Sequence, residues 1–274
     1  MKITGKSGYL CFFNQRKSLN MKSLRLFCQT SFVALILITG GCNLTSSDPT
    51  STPLETTTAD TIKSVFSNHT STDTPLEKRL REQGLVDIAQ MDSSIAVRLV
   101  YATPYNFVGK RLYTGLNKAF MLPQAAQMLL DAKQRLKALR PDLNLLVYDA
   151  ARPLSVQQQM WDMVKGTEMR DFVANPNNGP GMHNFGAAVD LTLMDCTGQP
   201  LPMGSGFDYF GDESRTTDEQ TLVDEGRITP RELENRLLLR KVMTEAGFTT
   251  ITEEWWHFNI MPTEKARKIL TPIE

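Results

Sequence analysis

Histidine is scarce in this chain: 274 residues hold three, beside four cysteines, and neither charge sign is in excess, with 30 basic and 30 acidic side chains. So few cysteines exclude a disulfide-dense scaffold, and 17 glycines with 14 prolines exclude a collagen-like repeat. No apolar run reaches the roughly 20 residues that a bilayer span requires. A composition of 41% hydrophobic and 22% charged residues fits an ordinary globular protein. The balanced charge hides an asymmetry. Lys2, Lys6, Arg16, Lys17, Lys22 and Arg25 fall in residues 1–41 without an acid, leaving 24 bases against 30 acids in the remainder. An acidic remainder lacks the basic surface that phosphate contacts need, so no nucleic-acid partner is expected.

The basic N-terminal residues lead into an apolar stretch at 31–41, which closes with Thr39-Gly40-Gly41 and is followed by Cys42. Basic, apolar and small segments in that order read as a signal peptide over 1–41, with Met21 the more typical start than Met1. Cys42 directly after the small residues resembles a bacterial lipoprotein signal, in which that cysteine is lipidated and becomes the mature N-terminus. Thr39 departs from the usual Leu, and plain secretion or an uncleaved anchor are the alternatives. Each places the protein outside the cytoplasm, periplasmic or at the cell surface, with a lipid anchor as the expected membrane partner. Residues 42–74 are Ser/Thr-rich with few large apolar side chains, and read as a flexible linker. The folded domain is expected over 75–274, in one piece.

Within it, 95–101 is β-prone up to Pro104. A helix is expected over 124–139, where Met128, Leu129, Ala132, Leu136 and Leu139 recur at spacings of three and four. A strand at 143–148 delivers Asp149-Ala150-Ala151-Arg152-Pro153 to its end, and Ser155 is placed to cap a helix through Trp161. Strands are expected at 187–193 and 255–260. Thr229-Pro230-Arg231-Glu232 combines a capping box with proline at the first helical position, and Gly247 marks the end of a helix over 230–246. Strands and helices interleave without regular βαβ spacing. The fold class is therefore α+β, a mostly antiparallel sheet flanked by helices.

His69 lies in the linker, which leaves His183 and His257. His183 stands seven residues before Asp190, with Gly186 allowing a turn between them, and Glu254 stands three residues before His257. Two imidazoles and one carboxylate give the three-ligand, one-open-position set of catalytic zinc, with Glu254 left over for proton transfer. Each signal alone is weak. A loop histidine is more often a surface residue, and Glu254 and His257 would point to opposite faces of a strand unless the chain bends between them. Together, in a chain with no other histidine outside the linker, they favour a metal site.

The motifs resemble those of the zinc D-alanyl-D-alanine dipeptidases of the VanX type. Tyr101-Ala102-Thr103, then Asn106-Phe107 with Gly109 and Tyr113, then Asp149-Ala150 with Arg152-Pro153, then His183, Gly186, Ala188 and Asp190-Leu191-Thr192-Leu193, then Met203-Gly204 with Phe207-Asp208, and finally Glu254-Trp255-Trp256-His257 occur in that family's order. The likeness spans about residues 85–262. The His…Asp and Glu…His blocks are shared with related D,D-carboxypeptidases, and the others point more narrowly to the dipeptidases.

The resemblance implies one zinc ion per chain held by His183, Asp190 and His257, with Glu254 as the catalytic carboxylate and Arg152 stabilising the charge that develops on the substrate carbonyl. It implies Asp208 beside the ammonium of D-Ala-D-Ala or a similar short D-peptide; the alternative for Asp208 is an exposed loop carboxylate. Tyr101, Asn106 and Tyr113 are candidates for shaping the pocket, with core packing as the alternative for each. Where the family commonly has Ser two residues before the first zinc-binding histidine, this chain has Gly181, so one hydroxyl donor is missing. The alternatives for function are a D,D- or L,D-carboxypeptidase acting on peptidoglycan and a non-catalytic lipoprotein that binds wall peptides.

Overall fold

The computed structural model describes residues 72–274; the signal-like segment, Cys42, His69 and nearly all of the linker lie outside them. The chain runs α1 (Pro75–Glu82), β1 (Val86–Asp87), α2 (Ile88–Met91), β2 (Ala96–Val97), β3 (Phe120–Met121), α3 (Pro123–Leu139), β4 (Asn144–Asp149), α4 (Leu154–Val164), β5 (Ala188–Met194), α5 (Glu219–Asp224), α6 (Pro230–Glu245), β6 (Thr249–Thr250), β7 (His257–Asn259) and α7 (Thr263–Ile269). Five strands form one sheet in the order β2-β4-β5-β7-β6, and β1 pairs with β3 in a separate ribbon. Only β2 and β4 run parallel; the other pairs are antiparallel. The fold is α+β, as expected.

The two longest helices account for the central layer. Leu129, Ala132 and Leu136 of α3 and Leu239, Val242 and Met243 of α6 are fully buried where the helices pack on each other, α3 lying against β4 and α6 against β5. Each large apolar side chain removed from water contributes on the order of 1.5–3 kcal/mol. β4 and β5 are covered on both faces, and Leu145, Val147, Val189, Leu191 and Leu193 are fully buried. The α6 capping box forms as read: Thr229 Oγ1 accepts from Glu232 N at 3.2 Å, and Glu232 Oε2 accepts from Thr229 N at 2.6 Å.

Three local expectations are corrected. The β-prone stretch at 95–101 pairs only at Ala96 and Val97 and then enters a 3-10 turn, Val100–Ala102. Val97, the last paired residue, stands opposite Val147, and directly beyond it β4 bulges against its other neighbour, β5, which bends the strand. Ser155 caps nothing. α4 begins two residues earlier, at Leu154 with Pro153 at the N-cap position, and the Leu154 N–H is met by Ile273 O at 2.8 Å, so no side-chain cap is needed for it. The final strand is shorter than 255–260, since Trp255 and Trp256 form a turn ahead of β7.

Candidate metal centre and active-site cavity

The sheet register assembles the ligand set. Asp190 of β5 is the direct cross-strand partner of His257 in β7, so both side chains leave the same face of the sheet. His183 arrives from the 3-10 turn Met182–Phe185 just before β5. That turn closes at Gly186, whose φ of 63° favours glycine; a Cβ there would also stand 2.7 Å from the end of the Leu85 side chain, which would have to move. His183 Nε2, Asp190 Oδ1 and His257 Nδ1 lie 2.9 to 3.2 Å from one another. All three residues are nearly buried, at 7%, 2% and 9% exposure.

The outer nitrogens decide what this cluster can hold. His183 Nδ1 is 2.7 Å from Ala150 O, an atom that can only accept, so Nδ1 carries the proton and Nε2 presents a lone pair. His257 Nε2 likewise donates to Asn259 Oδ1 at 2.8 Å, leaving Nδ1 unprotonated. Two lone pairs and a carboxylate oxygen therefore converge on one point, an arrangement that repels itself unless a cation sits there. Without a cation a proton takes its place: against the penalty of burial, protonated imidazole beside Asp190 holds its carboxyl below the ordinary range, and Asp190 in turn raises His183. Two nitrogen donors, each oriented by a hydrogen bond at its other ring nitrogen, and one carboxylate oxygen fit zinc.

Arg152 stands behind this cluster. The bulge in β4 sets Asp149 opposite Asp190, and the Arg152 guanidinium bonds Asp149 Oδ2 through Nε at 2.9 Å and Nη2 at 2.6 Å. Nη1 donates to Gln157 Oε1 at 2.9 Å, and Nη2 lies 3.7 Å from Asp190. Three of its five N–H groups are thus engaged, and the rest are available to the cavity it lines.

The cavity has a volume of about 360 Å³, with His183, Asp190, His257, Arg152, Glu254 and Asp208 in its wall. The turn at Trp255 and Trp256 supplies the bend that the Glu-x-x-His spacing needs, and it brings Glu254 Oε2 to 3.8 Å from His257 Nδ1. Burial pushes the Glu254 carboxyl up to about 8, opposed by His257. Asp208 receives the Tyr101 hydroxyl at 2.8 and 2.9 Å, and burial pushes it to about 8 against that hydrogen bond. Tyr101 also lies under Arg152, with the guanidinium carbon 5.2 Å from its ring centre.

Residues 81–272 match the peptidase M15 family, described as D-ala-D-ala dipeptidase. The chain belongs to this family. It is 34% identical to a D-alanyl-D-alanine dipeptidase of Escherichia coli K12 over 64% of this chain and 84% of that one. The corresponding protein of Synechocystis is 32% identical over 57% and 74%, and that of Enterococcus faecium 31% over 58% and 82%. Among solved structures, a vancomycin-resistance D,D-pentapeptidase, VanY, in complex with Zn(II) matches 56% of this chain and 79% of that one at 19% identity, with a TM-score of 0.32.

In this M15 chain two candidates stand outside the cavity wall. Asn106 folds its amide into its own loop, donating to Thr103 O at 2.7 Å and Lys110 O at 2.9 Å while accepting from Val108 N. Tyr113 is buried behind the site, its hydroxyl 2.5 Å from Asp149 Oδ1. Sequence reasoning assigned no role to Asp149, Gln157 or Asn259, which orient the residues in front of them. Asn259 had a readable signal, since residues two apart in a strand share a face. Gln157 had none.

Proposed function

We propose that this M15 chain is a zinc-dependent dipeptidase that hydrolyses D-Ala-D-Ala or a similar short D-peptide. The observation that carries the reading is the convergence of three metal donors with a protonatable carboxyl, Glu254, and a second carboxyl, Asp208, in one cavity. His183 Nε2, Asp190 Oδ1 and His257 Nδ1 would hold the ion. When bound, zinc supplies the positive charge that lowers the pKa of a water to about 7 and polarises the scissile carbonyl.

Glu254 takes the proton from the attacking water as its oxygen bonds to the carbonyl carbon. It then delivers that proton to the amide nitrogen as the C–N bond breaks, releasing two amino acids. Arg152, fixed by Asp149 and Gln157, turns its remaining N–H groups to the oxygen on which negative charge develops. Asp208 faces the ammonium of the first residue, and the Tyr101 hydroxyl holds its carboxylate in place. The chain's signal-like N-terminus supports action outside the cytoplasm, on dipeptide released in wall turnover and recovered as nutrient, with Cys42 as the anchor point.

Glu254→Gln tests the assignment. The variant is expected to bind one zinc per chain and lose hydrolysis of free D-Ala-D-Ala by at least 10³-fold. Unchanged turnover would remove Glu254 from the chemistry, and release of D-Ala from a pentapeptide but not from the dipeptide would make the protein a carboxypeptidase.

A further inference from the structure

Asp208 and Glu254 come from distant parts of the chain, yet one segment, residues 203–215, carries the first and grips the second. Asp208 sits in its middle with a φ of 59°. A non-glycine residue in that conformation is held at a cost of about 1 kcal/mol and persists where its surroundings fix it. The fixing group is Arg236 of α6, whose side chain is 0% exposed. Its Nε donates to Met203 O at 2.5 Å, its Nη2 to Glu213 O at 2.5 Å and its Nη1 to Arg215 O at 3.4 Å. One buried cation therefore ties down the main chain on both sides of Asp208, with Glu219 as its counter-charge at 3.4 Å.

Ser214, also fully buried, turns the same segment toward the other carboxyl. Its hydroxyl lies 2.6 Å from Gly211 O and 2.9 Å from Glu253 O, and its carbonyl accepts from Trp255 N at 2.9 Å. The residues immediately before and after Glu254 are both bonded to Ser214. Trp255 Nε1 adds a further bond to Ser205 Oγ at 2.9 Å, and the Arg236 guanidinium lies 5.8 Å from the Trp255 ring centre.

We propose that Arg236 and Ser214 are positioning residues that make the 203–215 segment a bridge, setting Asp208 and Glu254 in register so that substrate anchoring and proton transfer share one frame. This rests on the roles given to Asp208 and Glu254 above. The test compares Ser214→Ala and Arg236→Lys with Glu254→Gln and Asp208→Asn in the full, zinc-loaded chain, recording kcat and KM on D-Ala-D-Ala, zinc content and thermal unfolding.

Ser214→Ala is expected to keep its zinc and its fold, to lose at least tenfold in kcat, and to hold KM within twofold, because the hydroxyl's bonds to Glu253 O and Gly211 O are lost while the main-chain bond to Trp255 N and the Arg236 contacts on either side of Asp208 remain. Arg236→Lys keeps a charge for Glu219 but cannot reach three carbonyls, and is expected to raise KM at least tenfold as well as lower kcat. Wild-type kcat in Ser214→Ala overturns the proposal, whether or not Arg236→Lys folds. So does a loss that only tracks lost zinc or lost folded protein. If Glu254→Gln and Asp208→Asn leave hydrolysis intact, the functional reading itself has failed; if they abolish it while Ser214→Ala is silent, only the bridge has.

Discussion

Asp190 and His257 face each other directly across the β5–β7 ladder, with Asp190 Oδ1 2.9 Å from His257 Nδ1. One antiparallel register therefore sets two of the three candidate metal donors, and a slip of a single residue would turn one of them to the opposite face. Placed on neighbouring strands, the pair needs no rearrangement to receive an ion.

Arg152 separates chemistry from architecture. Arg152→Lys keeps a cation beside Asp149 but loses the forked contact, and is expected to cost 10²- to 10³-fold in kcat with a smaller change in KM. Arg152→Ala also strands the fully buried Asp149 and is expected to cost about 3–5 kcal/mol of stability. Steady-state kinetics and denaturant unfolding measure the two effects, and wild-type kcat in the lysine variant would confine Arg152 to a structural tie.

Under the proposed function, protons and zinc would compete for the site. Without metal, His183 is raised above its ordinary value of 6.5 despite burial, so its contribution to stability is present below that value and lost as pH rises through the folded one. Asp208 and Glu254, raised by burial to about 8, remain protonated in the folded protein after the unfolded chain has released those protons, so stability also falls as pH climbs from about 4 to about 8. The metal-free protein is expected to be less stable at about pH 8.5 than at about pH 6. Zinc affinity should rise over the same interval as protons leave. Unfolding with and without chelator reads both, and a metal-free protein that gains stability toward pH 8.5 would contradict the burial of these carboxyls.

Gly181 lines the cavity with ordinary backbone geometry, φ −83° and ψ 175°. A Cβ there would meet Asn184 Oδ1 at 3.6 Å and Ala174 at 3.8 Å, both ordinary contacts. Gly181→Ser is therefore expected to fold normally and, by restoring the missing donor, to lower KM for D-Ala-D-Ala about three- to tenfold with kcat little changed, which is about one hydrogen bond's worth of binding. An unchanged KM would show that this chain anchors its substrate without that hydroxyl.

Thr192 follows Asp190 on the same face of β5, and its buried hydroxyl has no hydrogen-bond partner among the described residues. Thr192→Val removes the unmet group at nearly constant shape and is expected to add about 1 kcal/mol of stability, a rise of roughly 2–4 °C in unfolding temperature, with kinetics unchanged. A scanning-calorimetry trace that moves downward would refute this.

The metal set was legible because histidine is so scarce: with His69 assigned to the linker, His183 and His257 had few competitors, and Asp190 followed from spacing. The long helices were legible from apolar periodicity and, for α6, from Thr229-Pro230 and Gly247. What escaped was set by contacts distant in sequence. The bulge that places Asp149 beside Asp190 leaves no periodic trace, and it lies directly beyond the last paired residue of the strand expected at 95–101. Ser155 looked like a cap because nothing local shows that Ile273 meets the Leu154 N–H. Arg236 and Ser214 act largely on main-chain carbonyls, which every residue possesses, so no residue pattern announces their partners.

The carboxylates of the cavity and its backing carry a consequence of their own. Asp149, Asp190, Asp208 and Glu254 stand round a space that Arg152 and Arg267 also line, and such crowding is far from electroneutral when all four carboxylates are ionised. A dication and an ammonium would each offset part of the surplus. Under the proposed function the two would be complementary guests, and a peptide whose amino end has been acylated would arrive one charge short.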